Sequence, residues 1–324
     1  MLPHENPVTA KAQTITLADG RTLGFSVFGD PDGVPVIALH GTPGSRLKFA
    51  DSDEVARRLG LRLISVDRWG YGLSSPHSDG TLTDFGADMV VLADRLGLGQ
   101  CVVTGVSGGG PYAVATAAAF GPRALALALV SPIGIIDAGT RLSPFHHVCF
   151  RLLPRFGFGV ATAFHIYRAG LLGVPHSALR LALSLGPAVD RRTLDDPSIR
   201  RRLIDTFASG LKPGVAGAVG DMGLFVKPWE LDMTAITAPA KIWIGTADRN
   251  VPAHAVGALA GALPRCDVTR LVGEGHLWIA RNGDVVMSWL ATQARAGVHV
   301  RDEGKSDEGV RSEPYVHDGR SATA

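Results

Sequence analysis

Cysteine is scarce: Cys101, Cys149 and Cys266 stand far apart, each in apolar surroundings. Such spacing supports neither a disulfide framework nor a zinc site, and the three read as buried free thiols. An excess of charge is also missing. The 32 basic and 30 acidic residues leave a formal +2, too weak a field to draw nucleic acid or an anionic membrane surface. No apolar run reaches the roughly 18 residues that a membrane span needs. The longest, residues 124–136, follows Gly121-Pro122-Arg123 and is interrupted by Ser131-Pro132, so it reads as a buried strand. The first residues, MLPHENPVTAKAQT, lack the basic start and apolar stretch of a secretory signal. These absences lead to the expectation of a soluble, cytoplasmic protein whose partner is a small-molecule substrate. No cluster of metal ligands is visible, and no glycine-rich loop carries the lysine of a phosphate-binding loop or the spacing of a dinucleotide fingerprint. No metal and no cofactor are therefore expected.

What is present is a chain of 324 residues, 46% of them apolar, enough for a substantial core. Ile15 to Leu17 and Leu23 to Phe28 flank Asp19-Gly20, the turn chemistry of a hairpin. Short, nearly continuous apolar runs follow at residues 36–39, 63–66, 101–103, 125–130, 241–244 and 268–272. Runs of that kind suit strands covered on both faces. Stretches of helical period lie between them, at 53–59, 82–96 and 112–120. The alternation predicts an α/β fold with a mostly parallel, doubly wound sheet.

Between Gly134 and Ala238 the strand rhythm stops, and helix-forming stretches are divided by Pro154, Pro175, Pro187, Pro197 and Pro213. The domain reading is a core of 1–133 and 239–297, a helical insertion at 134–238, and a disordered, charged tail at 298–324. Within the insertion, Arg191-Arg192 and Arg200 to Arg202 read as a solvated helix face.

Residues 105–109, Gly-Val-Ser-Gly-Gly, join the strand at 101–103 to the helix at 112–120. This is G-x-S-x-G between strand and helix, the pattern of a nucleophile elbow. Glycines two positions either side of Ser107 avoid collisions in so tight a turn. The turn lifts the serine hydroxyl above the sheet's carboxyl edge and leaves the Gly108 amide at a helix start, aimed at developing negative charge. A serine needs a positioned base, and that base an orienting acid. Asp248 follows the strand at 241–244 and His276 follows the one at 268–272, so all three reach the same sheet edge. A second oxyanion donor is expected from the loop after residues 36–39, His40-Gly41-Thr42-Pro43-Gly44, where the Thr42 amide is the candidate. His40 itself suits a structural role in that loop.

With HGTPGSR at 40–46, DRWGYGLSS at 67–75, GVSGGGPYA at 105–113, GTADRNVP at 245–252 and GEGHL at 273–277, the chain resembles the α/β-hydrolase superfamily. The resemblance runs over nearly all of residues 20–297. It implies Ser107 as nucleophile, His276 as general base, Asp248 as orienting acid, the amides of Thr42 and Gly108 as oxyanion hole, and the insertion as a cap over the site. Asp137 holds a position from which some members supply the acid. Ser107 argues against the epoxide hydrolases and haloalkane dehalogenases, which place aspartate at the elbow. Proline aminopeptidases of the family carry glycine where Thr42 stands. The implied reaction is hydrolysis of a small to medium, apolar carboxylic ester through an acyl-enzyme. Carbon-carbon hydrolysis, thioester hydrolysis and cofactor-free perhydrolysis use the same triad, and a non-catalytic ligand-binding protein on the same fold stays open beside them. Asp67 reads as a loop brace, Glu274 as a loop residue, and Asp84, Asp88 and Asp94 as an exposed helix face.

Overall fold

A computed structural model of the chain describes residues 12–184 and 186–307. Eight strands form one sheet: β1 (Gln13–Thr16), β2 (Thr22–Gly29), β3 (Val34–Leu39), β4 (Leu61–Val66), β5 (Cys101–Val106), β6 (Ala124–Val130), β7 (Ala240–Gly245) and β8 (Cys266–Leu271). Their order across the sheet is β1-β2-β4-β3-β5-β6-β7-β8. The hairpin β1–β2 and the β2–β4 pair are antiparallel, and every other pair is parallel. This is the doubly wound arrangement that the run pattern predicts.

The continuous apolar runs have a simple cause. Ile37 and Leu39 of β3 pack into the core on one face, with Phe85 and Met89 of α2 (Leu82–Arg95) and Val114 of α3 (Gly110–Phe120). The alternate residues Val36 and Ala38 pack into the other, with Ala56 of α1 (Asp53–Arg58). Both faces are covered, so neither set has been replaced by polar residues. β6, Ala-Leu-Ala-Leu-Ala-Leu-Val, is buried throughout. A capping box closes the start of α2, where the Thr81 hydroxyl accepts from the Asp84 amide and the Asp84 carboxylate accepts from the Thr81 amide.

Between β6 and β7 the described residues contain helices only: α4 (Pro144–His147), α5 (Gly157–Gly173), α6 (Pro175–Ala182), α7 (Ala188–Thr193), α8 (Pro197–Leu211) and α9 (Ala216–Phe225), with short irregular turns. Leu171, Leu179, Leu194, Ile199, Leu203 and Leu211 gather there in a small core of their own, which meets the main body through Tyr71 and Leu277. Helices α10 (Ala253–Ala262) and α11 (Gly283–Asp307) complete the fold.

Three sequence expectations need correction. Asp88 is not on an exposed face. It is buried and accepts hydrogen bonds from Arg21 (2.6 Å) and from the Trp69 indole (2.8 Å). Cys149 and Cys266 are only partly buried, although both are free thiols. The last helix runs to Asp307, past the expected boundary at 298, and the rest of the expected tail, 308–324, lies outside the described residues. No helix among the described residues is long and apolar enough to cross a membrane.

Candidate active site

Ser107 follows β5 directly and sits at φ +54°, a left-handed conformation that a side-chain-bearing residue adopts only under constraint. The glycines around it permit the turn. A methyl on Gly109 would strike the backbone carbonyls of Leu39 and His40, and one on Gly105 would strike that of Gly109. The result is a serine hydroxyl at the mouth of the sheet.

Asp248 stands on the loop after β7 and His276 on the loop after β8. His276 Nδ1 donates to Asp248 Oδ2 at 2.8 Å, and the Ser107 hydroxyl meets His276 Nε2 at 3.0 Å. A carboxylate only accepts, so Nδ1 carries the proton and Nε2 is free to accept from serine. The Asp248 side chain is 1% exposed and that of His276 12%. The Asn250 amide donates to the other Asp248 oxygen at 2.8 Å. Burial alone would raise the Asp248 pKa, but the His276 charge, its hydrogen bond and the Asn250 and Ser131 bonds hold it below the ordinary value. Burial alone would lower the His276 pKa, and the Asp248 charge and hydrogen bond raise it instead.

Asp190 of α7 adds a second carboxylate behind the histidine. Its oxygens accept from the His276 amide (3.0 Å) and the Leu277 amide (2.8 Å). A side chain on Gly275 would collide with it. The insertion thus pins the histidine loop by its backbone.

Thr42 and Gly108 adjoin, since a methyl on Gly108 would run into the Thr42 side chain, and both line one cavity. Gly108 lies in the short turn Ser107–Gly109 that leads into α3, where amides have no partner within the helix. Beneath this loop lies a buried ionic cluster. Asp221 of α9 accepts from Arg68 through both oxygens, from the Tyr71 and Tyr112 hydroxyls (2.7 Å each) and from the Thr42 hydroxyl. Arg68 in turn donates to the carbonyls of His40 and Gly41, both at 3.0 Å. His40 Nε2 accepts from the Arg68 amide, so its ring is the Nδ1–H tautomer and donates to the Gly41 carbonyl. Burial and the nearby Arg68 charge keep it far below the usual histidine pKa, in the structural role expected of it.

The remaining candidates separate. Asp137 is exposed and bonded to Thr140, with no contact to His276. Asp67 accepts from the amides of Arg46 and Leu73 and braces its loop. Glu274 has no part in the bond chain. Asp221 and Asp190 were missed by sequence reasoning. Arg68, Tyr71 and Tyr112 lie inside the quoted motifs, but nothing in the insertion marks its two buried carboxylates. Among the described residues no group of three or more His, Cys, Asp or Glu is placed to hold a metal ion.

The cavity above Ser107 has a volume of about 450 Å³, within the range of small-molecule sites, roughly 300–1,000 Å³. Its walls are largely apolar, with Ile133, Phe150, Phe164, Phe207, Met222 and Phe225 among them. Phe156 and Phe158 of the insertion lie outside it and are exposed.

The sequence pattern of the alpha/beta hydrolase family matches residues 36–288. A proline iminopeptidase from Xanthomonas citri is 36% identical over 110 residues, 32% of this chain and 34% of that protein. The chain thus spans about a third of the length of the curated relatives it matches first. Among solved structures, an alpha/beta hydrolase fold protein from Nakamurella multipartita is 25% identical with a TM-score of 0.65, covering 89% of this chain and 100% of that one. A thermophilic esterase from Thermogutta terrifontis is 24% identical with a TM-score of 0.65, covering 89% and 99%. That last likeness carries the fold alone.

Proposed function

The chain belongs to the alpha/beta hydrolase family, and from that premise we propose that it is a serine hydrolase that cleaves a small to medium carboxylic ester with an apolar body. The observation that carries this reading is the unbroken chain Asp248–His276–Ser107 opening into the apolar cavity. Ser107 Oγ attacks the ester carbonyl carbon as its proton passes to His276 Nε2. The amides of Thr42 and Gly108 receive the resulting oxyanion. Collapse of the intermediate breaks the carbonyl carbon–oxygen bond, His276 returns its proton to the leaving alkoxide, and the alcohol departs. A water molecule then gives a proton to His276 and attacks the acyl-enzyme, which releases the acid and restores Ser107. Asp248 stays ionised and stabilises the imidazolium. The helices of 134–238 act as a cap that supplies most of the apolar wall.

The curated relatives include iminopeptidases by name. A peptide with a free proline nitrogen is cationic at neutral pH, and among the described residues no carboxylate side chain lines this cavity. That favours the ester over such a peptide.

Intact-mass labelling with a fluorophosphonate tests the reading. One adduct on the parent and none on Ser107→Ala is the expected result, followed by turnover of simple esters. A folded parent that takes no adduct would refute it and favour a ligand-binding protein that keeps the fold without the chemistry.

A further inference from the structure

Lys48 lies in the short helix Arg46–Ser52 that follows the Thr42 loop. Among the described residues lining the cavity over Ser107 it is the only Lys, Arg, Asp or Glu. It also borders a second cavity of about 280 Å³ on the far side of Val106, Ile279 and Ala280. Among the described residues its ammonium has no hydrogen bond and no ion pair within contact distance. The charges that act on it, Asp51 and Arg202, are paired with each other, so the carboxylate that opposes its loss of charge is already engaged. Its charge is felt at the catalytic centre, where it opposes the rise in the His276 pKa.

A half-buried cation without a partner is an unfavourable element in an apolar wall. Burial draws its pKa below the ordinary lysine value, with Asp51 only partly opposing. An anion placed beside it would remove that penalty and form a charge-assisted hydrogen bond. We infer that Lys48 is a specificity residue that selects esters bearing a carboxylate remote from the scissile bond. The inference rests on the serine-hydrolase reading and narrows it from apolar esters to half-esters and acyloxy acids.

The test uses two matched pairs: methyl hydrogen glutarate against methyl pentanoate, with the charge on the acyl side, and 4-acetoxybutanoate against butyl acetate, with it on the alcohol side. Each ester is assayed for turnover and for its ability to slow fluorophosphonate labelling of Ser107, which reports binding whether or not turnover is fast. The expected result is a preference for the charged member of at least one pair, roughly tenfold to hundredfold, as for a hydrogen bond to a charged group. The preference should collapse in Lys48→Met and persist in Lys48→Arg. Labelling with no charged preference in either pair, or a preference that survives Lys48→Met, overturns the inference and leaves the hydrolase reading intact. No labelling of the folded parent removes both.

Discussion

The two side-chain hydrogen bonds of His276 set the clearest single-residue expectations. On the proposed serine-hydrolase reading Ser107 Oγ forms the acyl bond, so in Ser107→Ala kcat should fall by roughly 10⁴- to 10⁶-fold with the fold retained, as steady-state kinetics and circular dichroism would show. Asp248→Asn should cost on the order of 10⁴-fold, because a neutral amide no longer fixes the tautomer or stabilises the imidazolium. The same pair fixes the pH dependence. As the proposed general base, His276 must be neutral to accept the serine proton, and its pKa in the folded protein is raised above 6.5 because Asp248 outweighs burial. A profile of kcat/KM should therefore fall on the acid side with an apparent pKa above 6.5, and an acid limb at or below 6.5 would contradict this electrostatic picture. For stability the sign reverses. A group whose pKa rises on folding stabilises while protonated, so His276 contributes fully below 6.5 and loses that contribution as pH rises through its folded value. The urea midpoint of the parent should exceed that of His276→Gln most near pH 6, with the gap shrinking toward pH 9.

At the scale of elements, the site depends on how α7, α8 and α9 meet the strand-end loops. Asp221 of α9 is the counter-ion of Arg68, and both are buried. Removing one member of a buried pair strands the other, at a cost of roughly 3–5 kcal/mol, so Asp221→Ala should lower the denaturation midpoint sharply. Tyr71→Phe deletes a single donor to the same charged carboxylate and should cost roughly 1.5–3 kcal/mol. If the cluster positions the Thr42 amide, the milder variant should also lower kcat more than it changes KM, whereas a purely structural cluster would leave kcat untouched. Helix α8 approaches just as closely, since a methyl on Gly210 would run into the Gly44 carbonyl. These contacts also explain what the sequence made legible. Ser107, Asp248 and His276 sit on loops directly after strands, and apolar runs reveal strands, so their common edge follows from the pattern. Asp221 and Asp190 come from helices whose sequence carries no such registration, and each is identified only by a partner many positions away. Asp88 failed for the same reason. Its helical spacing with Asp84 looks like a wet face, while Arg21 and Trp69, which hold it inside, lie elsewhere in the chain.

Across the whole molecule, burial is unevenly distributed, and the sparsely buried part lies over the site. Strands β5 and β6 are buried at every position. In contrast, α5 spans Gly157–Gly173 with only Val160 and Leu171 fully inside among its residues of described burial, and leaves Phe158 85% and Ile166 69% exposed. Its neighbour α6 buries Leu179 and leaves Leu181 75% exposed. Segments with few buried apolar contacts open at lower free energy than the sheet they cover. Phe164 and Tyr167 of α5 nevertheless line the cavity over Ser107, so an occupant of that cavity would add the contacts α5 lacks. Amide hydrogen exchange should therefore find residues 157–182 exchanging well before β3, β5 and β6 in the free protein. A long-chain alkyl fluorophosphonate attached to Ser107 should slow exchange in α5 selectively, and leave β8 and α10 as they were. Uniform protection of α5 and the sheet in the free protein would mean that the helical insertion is docked as firmly as the core. Substrates would then reach Ser107 without any opening of α5.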